Sequence, residues 1–130
     1  MVATARRCDP EIRLDAFEVE GRLPLMRYDG GPAAAPPAGI EIVEARSEEE
    51  VRGVASVQWE AYGESGELPQ RVVDGLRRTS ESGGLVVLAR DAATQEPAGG
   101  GLCTGPHEGA TELTSIGVRE TFRRRGIGRR

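Results

Sequence analysis

An α/β domain, with helices packed on a mixed sheet, is expected of residues 40–130 in this 130-residue chain. Two features point to it. Apolar residues recur at helical spacing from Val51 to Tyr62 and from Val72 to Leu76, whereas 85–89 and 110–118 carry short strand-like runs. The links between the last three strand candidates are short, so those strands should be consecutive antiparallel neighbours.

Ile40 to Ala45 reads as the first strand. Ser47 followed by Glu50 is a capping box opening a helix over 47–62. Val51, Val54, Ala55, Trp59 and Tyr62 share one stripe of that helix and are expected in the core. Gly63 is its stop. Leu68-Pro69 begins a second helix over 69–82, with proline in the first turn. Val72, Val73 and Leu76 should face inward, and Gly83-Gly84 should end the helix. Leu85–Ala89 is unbroken apolar and reads as a buried strand. Asp91–Glu96 is a polar connection. Pro97–Cys103 is a strand weakened by glycine, Thr104–Gly109 a loop, and Ala110–Val118 the last strand. Upstream, residues 11–28 alternate loosely through Ile12, Leu14, Phe17, Val19, Leu23 and Leu25, with Pro24 limiting the second run to an edge. Residues 29–39 are a Pro/Ala/Gly-rich linker. Residues 1–39 are therefore expected to be an extension, and 40–130 the domain.

Composition narrows the function. Aromatic residues make up 4% of the chain, so the core must rest on Val, Leu, Ile and Ala. There is no run of about 18 apolar residues and no apolar stretch after the N-terminal arginines, so neither a membrane span nor a signal peptide is read. Cys8 and Cys103 are expected as free thiols. Together these point to a cytoplasmic protein. All 17 basic residues are arginine. Residues 1–118 hold 11 Arg against 20 acids (net −9), and residues 119–130 hold 6 Arg against one (net +5). An acidic body with one basic end suits a local anion site better than a nucleic-acid surface. An arginine-tailed nucleic-acid binder is a further reading, disfavoured also by the lack of an aromatic stacking platform.

That basic end has internal order. A strand leads into Arg123-Arg124-Arg125-Gly126-Ile127-Gly128, and a helix is expected to open there. Glycines let the backbone approach a ligand closely. N–H groups at a helix start favour anions, and each bond to a charged phosphate is worth about 1.5–3 kcal/mol. Guanidinium groups add bidentate contacts at the rim. The turn is suited to a diphosphate.

The stretch Glu112-Leu113-Thr114-Ser115-Ile116-Gly117-Val118, followed by Arg119 to Gly128, resembles the fourth strand and pyrophosphate loop of the GNAT superfamily of acyl-CoA-dependent N-acetyltransferases. The preceding element order is similar too, so the resemblance covers residues 40–130. It implies transfer of an acetyl group from acetyl-CoA to an amine, a small molecule or peptide of unknown identity, with no metal and no membrane partner. Ile116 and Val118 would offer main-chain groups to the pantetheine arm, and an N–H near Ile116 would face the thioester carbonyl. Arg123, Arg124, Arg125, Gly126, Ile127, Gly128 and Arg129 would wrap the pyrophosphate. Glu112 matches the place of a general base. The family's domain continues beyond the resemblance with further strands, helices and a tyrosine acid, and no tyrosine follows Tyr62. A C-terminally truncated domain of impaired activity is therefore expected, and a non-catalytic fragment that binds CoA or a partner is the alternative. The helix bearing Trp59 and Tyr62, and the helix after it, border the acceptor site in the family. His107 should lie in a surface loop, and Cys103 should be a small buried hydrophobe. Gly99-Gly100-Gly101 lacks the strand-to-helix context of a dinucleotide fingerprint.

Overall fold

The expected element order appears in the computed structural model, which describes residues 27–128. It runs β1 (Ile40–Glu44), α1 (Glu48–Ala61), α2 (Gln70–Glu81), β2 (Leu85–Asp91), β3 (Pro97–Cys103), β4 (Leu113–Val118) and a 3₁₀ turn (Glu120–Phe122). The chain divides into two units, Met1–Ala33 and Ala34–Arg130. In the first, residues 27–33 have no regular secondary structure, Arg27 pairs with Asp29, and the Tyr28 hydroxyl donates to the Gly31 carbonyl at 3.3 Å. Cys8 and the alternating residues from Ile12 to Leu25 lie outside the described residues.

Local chemistry starts and stops the helices. The Glu50 N–H donates to Ser47 Oγ at 3.1 Å, and the N–H groups of Ser47 and Arg46 both donate to the Glu50 carboxylate at 3.0 Å. This is the expected capping box. At the other end, Gly63 N–H bonds to Glu60 O and Glu64 N–H to Trp59 O, with Gly63 in the left-handed region. Gly83 and Gly84 repeat that arrangement on Ser80 and Thr79. Two expectations shift at the helix ends. Pro69 is the cap of α2 rather than its first residue. Tyr62 caps α1 and stands 64% exposed, because none of the described residues covers the stripe where the helix runs out. Trp59 is half-buried, with a buried indole N–H that has no partner among the described residues.

The capping carboxylate gives a pH prediction. Two backbone N–H donors hold the Glu50 carboxyl below its ordinary value of 4.5. Arg90 does the same for Glu41, and the Thr94 and Ala93 N–H groups for Asp91. A depressed folded-state value stabilises the fold above the unfolded pKa, and the gain is lost as pH falls through the folded one. Unfolding free energy should therefore be level from neutral pH to about pH 5 and decline below it. Urea denaturation across pH should show a shallower acid limb in Glu50→Gln. An unchanged limb would count against the capping assignment.

The sheet order is β1-β2-β3-β4, and every pairing among the described residues is antiparallel. The three consecutive hairpin-like neighbours are as expected, and no parallel pair that would make the sheet mixed lies among the described residues. Val43, Val86, Leu88 and Leu102 turn one face toward α1 and α2, packing with Val51, Val54, Ala55, Val73 and Leu76. On the other face Ile40, Ile42, Ala89, Val118, Phe122 and Ile127 form a smaller cluster. Strand β2 extends past Ala89 to Asp91, and its first residue, Leu85, is 40% exposed rather than buried. Strand β4 begins at Leu113 rather than Ala110. Ala110 instead exchanges both backbone hydrogen bonds with His107 in a tight turn, at 2.8 and 3.0 Å.

The link from α2 into β2 leaves no room for a side chain. A Cβ on Gly84 would lie 2.6 Å from the Cys103 carbonyl oxygen and 2.7 Å from that of Thr79. Backbone atoms cannot swing aside, so Gly84→Ala should lower stability by about 1–3 kcal/mol. Chemical denaturation would measure it.

Candidate functional site

Strand β4 is not regular. Leu102 pairs with Thr114 and Gly100 with Gly117, so Ser115 and Ile116 together oppose the single residue Gly101. This is a β-bulge, with Ser115 at φ +54°. The bulge turns the Ser115 carbonyl toward α1, where Gln58 Nε2 donates to it at 2.8 Å. Ile116 is left 45% exposed. No strand lies on the outer edge of β4 among the described residues. An apolar groove of about 250 Å³ runs over this end of the sheet, on the face away from the helices. Its walls include Val87, Ala89, Cys103, Leu113, Ile116 and Val118. Cys103 is thus half-buried in the groove rather than buried in the core.

The groove shares Val118, Ile127 and Gly128 with a second, open hollow of about 480 Å³. Phe122, Arg123, Arg124 and Gly126 complete that hollow. The chain reverses there through Arg124 (φ +63°) and Gly126 (φ +85°). Among the described residues, none of the backbone N–H groups of residues 124–128 has an acceptor. Arg123, Arg124 and Arg125 form no salt bridge there either. Arg123 Nε donates to the Val118 carbonyl at 3.2 Å, and Arg125 lies 4.9 Å from the centre of the Phe122 ring. The turn is seated by Ile127, whose side chain packs on bare backbone: a Cβ on Gly99 would be 3.0 Å from Ile127 Cγ2. The β3 glycines thus have a packing role that their sequence context did not reveal. The expected helix does not open by Gly128, since residues 123–128 are turn and bend, and Arg129 lies outside the described residues.

Two side chains to which the sequence reading gave no such role hold this site to the body. Arg119 is 18% exposed and grips Glu60 with both ends of its guanidinium at 2.9 Å. It also donates to Ser56 Oγ at 2.9 Å and to the Pro97 carbonyl at 3.0 Å. Gln58 is the other. Its one available signal was position: it lies four residues after Val54 and seven after Val51, a polar residue on an apolar stripe.

Glu112 precedes β4 instead of lying within it. Its backbone bonds to Thr104 in both directions, at 2.9 and 3.0 Å, and its carboxylate is solvent-exposed with no partner among the described residues. His107 is exposed, as expected. Among the described residues no group of His, Cys, Asp and Glu is arranged to hold a metal ion, and no helix is long and apolar enough to cross a membrane.

Comparison with known proteins completes the picture. The model of the acetyltransferase (GNAT) family matches residues 51–130. A search of curated proteins returns no match. Among solved structures, a GCN5-related N-acetyltransferase from Sphaerobacter thermophilus superposes with a TM-score of 0.61 at 23% identity, over 74% of this chain and 30% of that one. Another from Kribbella flavida gives 0.52 at 23% identity, over 73% and 33%. Glucosamine-6-phosphate N-acetyltransferase from Arabidopsis thaliana gives 0.52 at 14% identity, over 68% and 66%. At these identities the likeness is one of fold, and the chain spans about a third of the length of the first two. Because the family model covers more than half of the sequence and ends on the bulged strand and arginine-glycine turn described above, the chain belongs to the acetyltransferase (GNAT) family.

Proposed function

We propose that this chain binds acetyl-CoA along β4 and serves transfer of the acetyl group to an amine. One observation carries the reading. An apolar groove along β4 runs into a hollow ringed by N–H groups without acceptors and arginines without acidic partners among the described residues. That sequence of surfaces fits a ligand with a long, weakly polar arm ending in a diphosphate. Ile116 and Val118 offer main-chain groups to the arm, as an added strand does. The N–H near Ile116 stabilises charge developing on the thioester oxygen. Arg123 to Gly128, with Arg129, hold the diphosphate. Glu112 takes a proton from the amine, directly or through water. The amine nitrogen attacks the thioester carbon, the C–S bond breaks, and CoA leaves as the thiol after gaining a proton. No covalent enzyme intermediate is needed.

Titration calorimetry with acetyl-CoA, and with acetyl-pantetheine lacking the nucleotide diphosphate, tests the assignment. Acetyl-CoA should bind saturably, compete with CoA and weaken with salt, and acetyl-pantetheine should bind far more weakly. No binding of either sinks the reading. Equal binding of both removes the turn from it.

A further inference from the structure

Among the described residues, Gln58 is the one buried polar side chain, at 7% exposure. It sits on α1 with apolar neighbours before and after it, yet its amide reaches 57 residues along the chain to a single backbone atom, the Ser115 carbonyl. That carbonyl belongs to the bulged residue, whose φ of +54° is one a serine seldom adopts. In a regular strand a carbonyl finds its acceptor role in the ladder. Here the bulge withdraws it, and a part-buried carbonyl left without a donor is disfavoured. The backbones are also close. A Cβ on Gly117 would lie 2.9 Å from Ala61 Cβ and 3.7 Å from Gln58 Cα, so only a glycine lets α1 settle on β4 at this point.

We propose that Gln58 is a positioning residue for acyl-CoA: its side-chain amide locks the Ser115 bulge, and the locked bulge presents the Ile116 main chain at the free edge of β4. The inference rests on the reading of β4 as the acyl-CoA strand and adds the element that holds it ready. Without the amide donor, the bulge relaxes toward a regular pairing. Register and the direction of the Ile116 groups then change together, because a strand's faces alternate residue by residue. The role is one of preparation, since Gln58 lies beneath the strand and touches no part of the ligand site directly.

The experiment uses the whole chain, acetyl-CoA as the probe, calorimetry for affinity and amide NMR for the bulge. Gln58→Met keeps the length and removes the donor. It should weaken acetyl-CoA binding by about ten-fold or more and shift the Ser115 and Ile116 amide signals. Gln58→Met combined with Ser115→Gly should recover most of the loss, because glycine holds the left-handed conformation without help. Val73→Ala, which trims the core beneath α2, should lower stability and leave affinity as in the unmodified chain. Wild-type affinity in folded Gln58→Met, with the Ile116 signal unmoved, overturns the proposal. So does an equal loss of affinity in Val73→Ala. Should Gln58→Met not fold, the Gln58 side-chain amide of the unmodified chain decides: it must be protected from exchange and shift on adding acetyl-CoA, and a freely exchanging, unshifted signal overturns the proposal. A wild-type chain that binds no acetyl-CoA removes the functional reading itself and this inference with it, an outcome distinct from an unperturbed variant.

Discussion

Replacing Gly128 with leucine is expected to abolish acetyl-CoA binding while leaving the protein as stable as before. The separation follows from the space around the residue. Among the described residues a Cβ on Gly128 meets Val118 Cγ2 alone, at the ordinary contact distance of 3.9 Å, and Gly128 has no left-handed backbone to strain. The side chain would instead grow on the wall shared by the apolar groove and the diphosphate hollow. A ligand held off by a branched side chain cannot bring its phosphate oxygens within reach of the N–H groups of residues 124–128. Losing two bonds to a charged acceptor, each worth about 1.5–3 kcal/mol, corresponds to roughly 10²–10⁴-fold in affinity. Gly126→Ala is a different test, because a φ of +85° is strained for any residue with a Cβ and the turn itself should change shape. Calorimetry gives the affinity and thermal denaturation the stability. Leucine at 128 with unchanged affinity would place the diphosphate elsewhere. Arg124→Gln should weaken binding modestly and flatten its salt dependence, since Arg124 contributes charge that no partner among the described residues neutralises.

What the sequence made legible was what short-range chemistry decides. The Ser47–Glu50 box, the glycine stops at 63 and 83–84, and the bounds of β3 depend on residues a few positions apart, and they emerge as expected. Tyr62 and Ala110 went the other way for physical reasons. A helical stripe is buried only as far as something covers it, and Ala110 found reciprocal partners in its own turn before the strand could claim it. The arginine-glycine turn was visible as chemistry but not as conformation. Its seat is Gly99, on another strand, and nothing in the local spacing says that Ile127 will rest there. The same limit hid Gln58 and Arg119, whose partners lie 57 and 59 residues away. Arg119 was grouped by sequence with the basic end, yet the structure divides that end by role. Arg119 is spent on Glu60, Ser56 and Pro97, while Arg123 and Arg124 line the hollow and Arg125 lies over the Phe122 ring.

That division gives the second large effect, a loss of stability in Arg119→Met. Methionine keeps much of the apolar stem and removes every donor. Arg119 joins three parts of the fold at once: the end of β4, the C-terminal half of α1 through Ser56 and Glu60, and the start of β3 through the Pro97 carbonyl. Glu96 also lies 3.6 Å away. Surface ion pairs contribute little, and Glu60, half exposed, can return to water when its partner goes. The pairing with Glu60 alone would therefore be worth under about 1 kcal/mol. The arginine itself is only 18% exposed, and its bonds to the Ser56 hydroxyl and Pro97 carbonyl are charge-assisted and sheltered. At about 1.5–3 kcal/mol for a hydrogen bond to a charged group, discounted for the exposed side, the change should lower stability by about 2–4 kcal/mol. Arg124→Met, in contrast, removes an exposed head with no salt bridge and should leave stability within about 0.5 kcal/mol. Urea denaturation of the two variants separates the cases. Equal, small losses would mean that the Arg119 contacts are ordinary surface pairs and that β4 is held to α1 by Gln58 and close packing at Gly117 alone. A large loss in Arg119→Met with none in Arg124→Met would show that one arginine of the basic end fastens the strand and leaves its neighbours to meet the ligand.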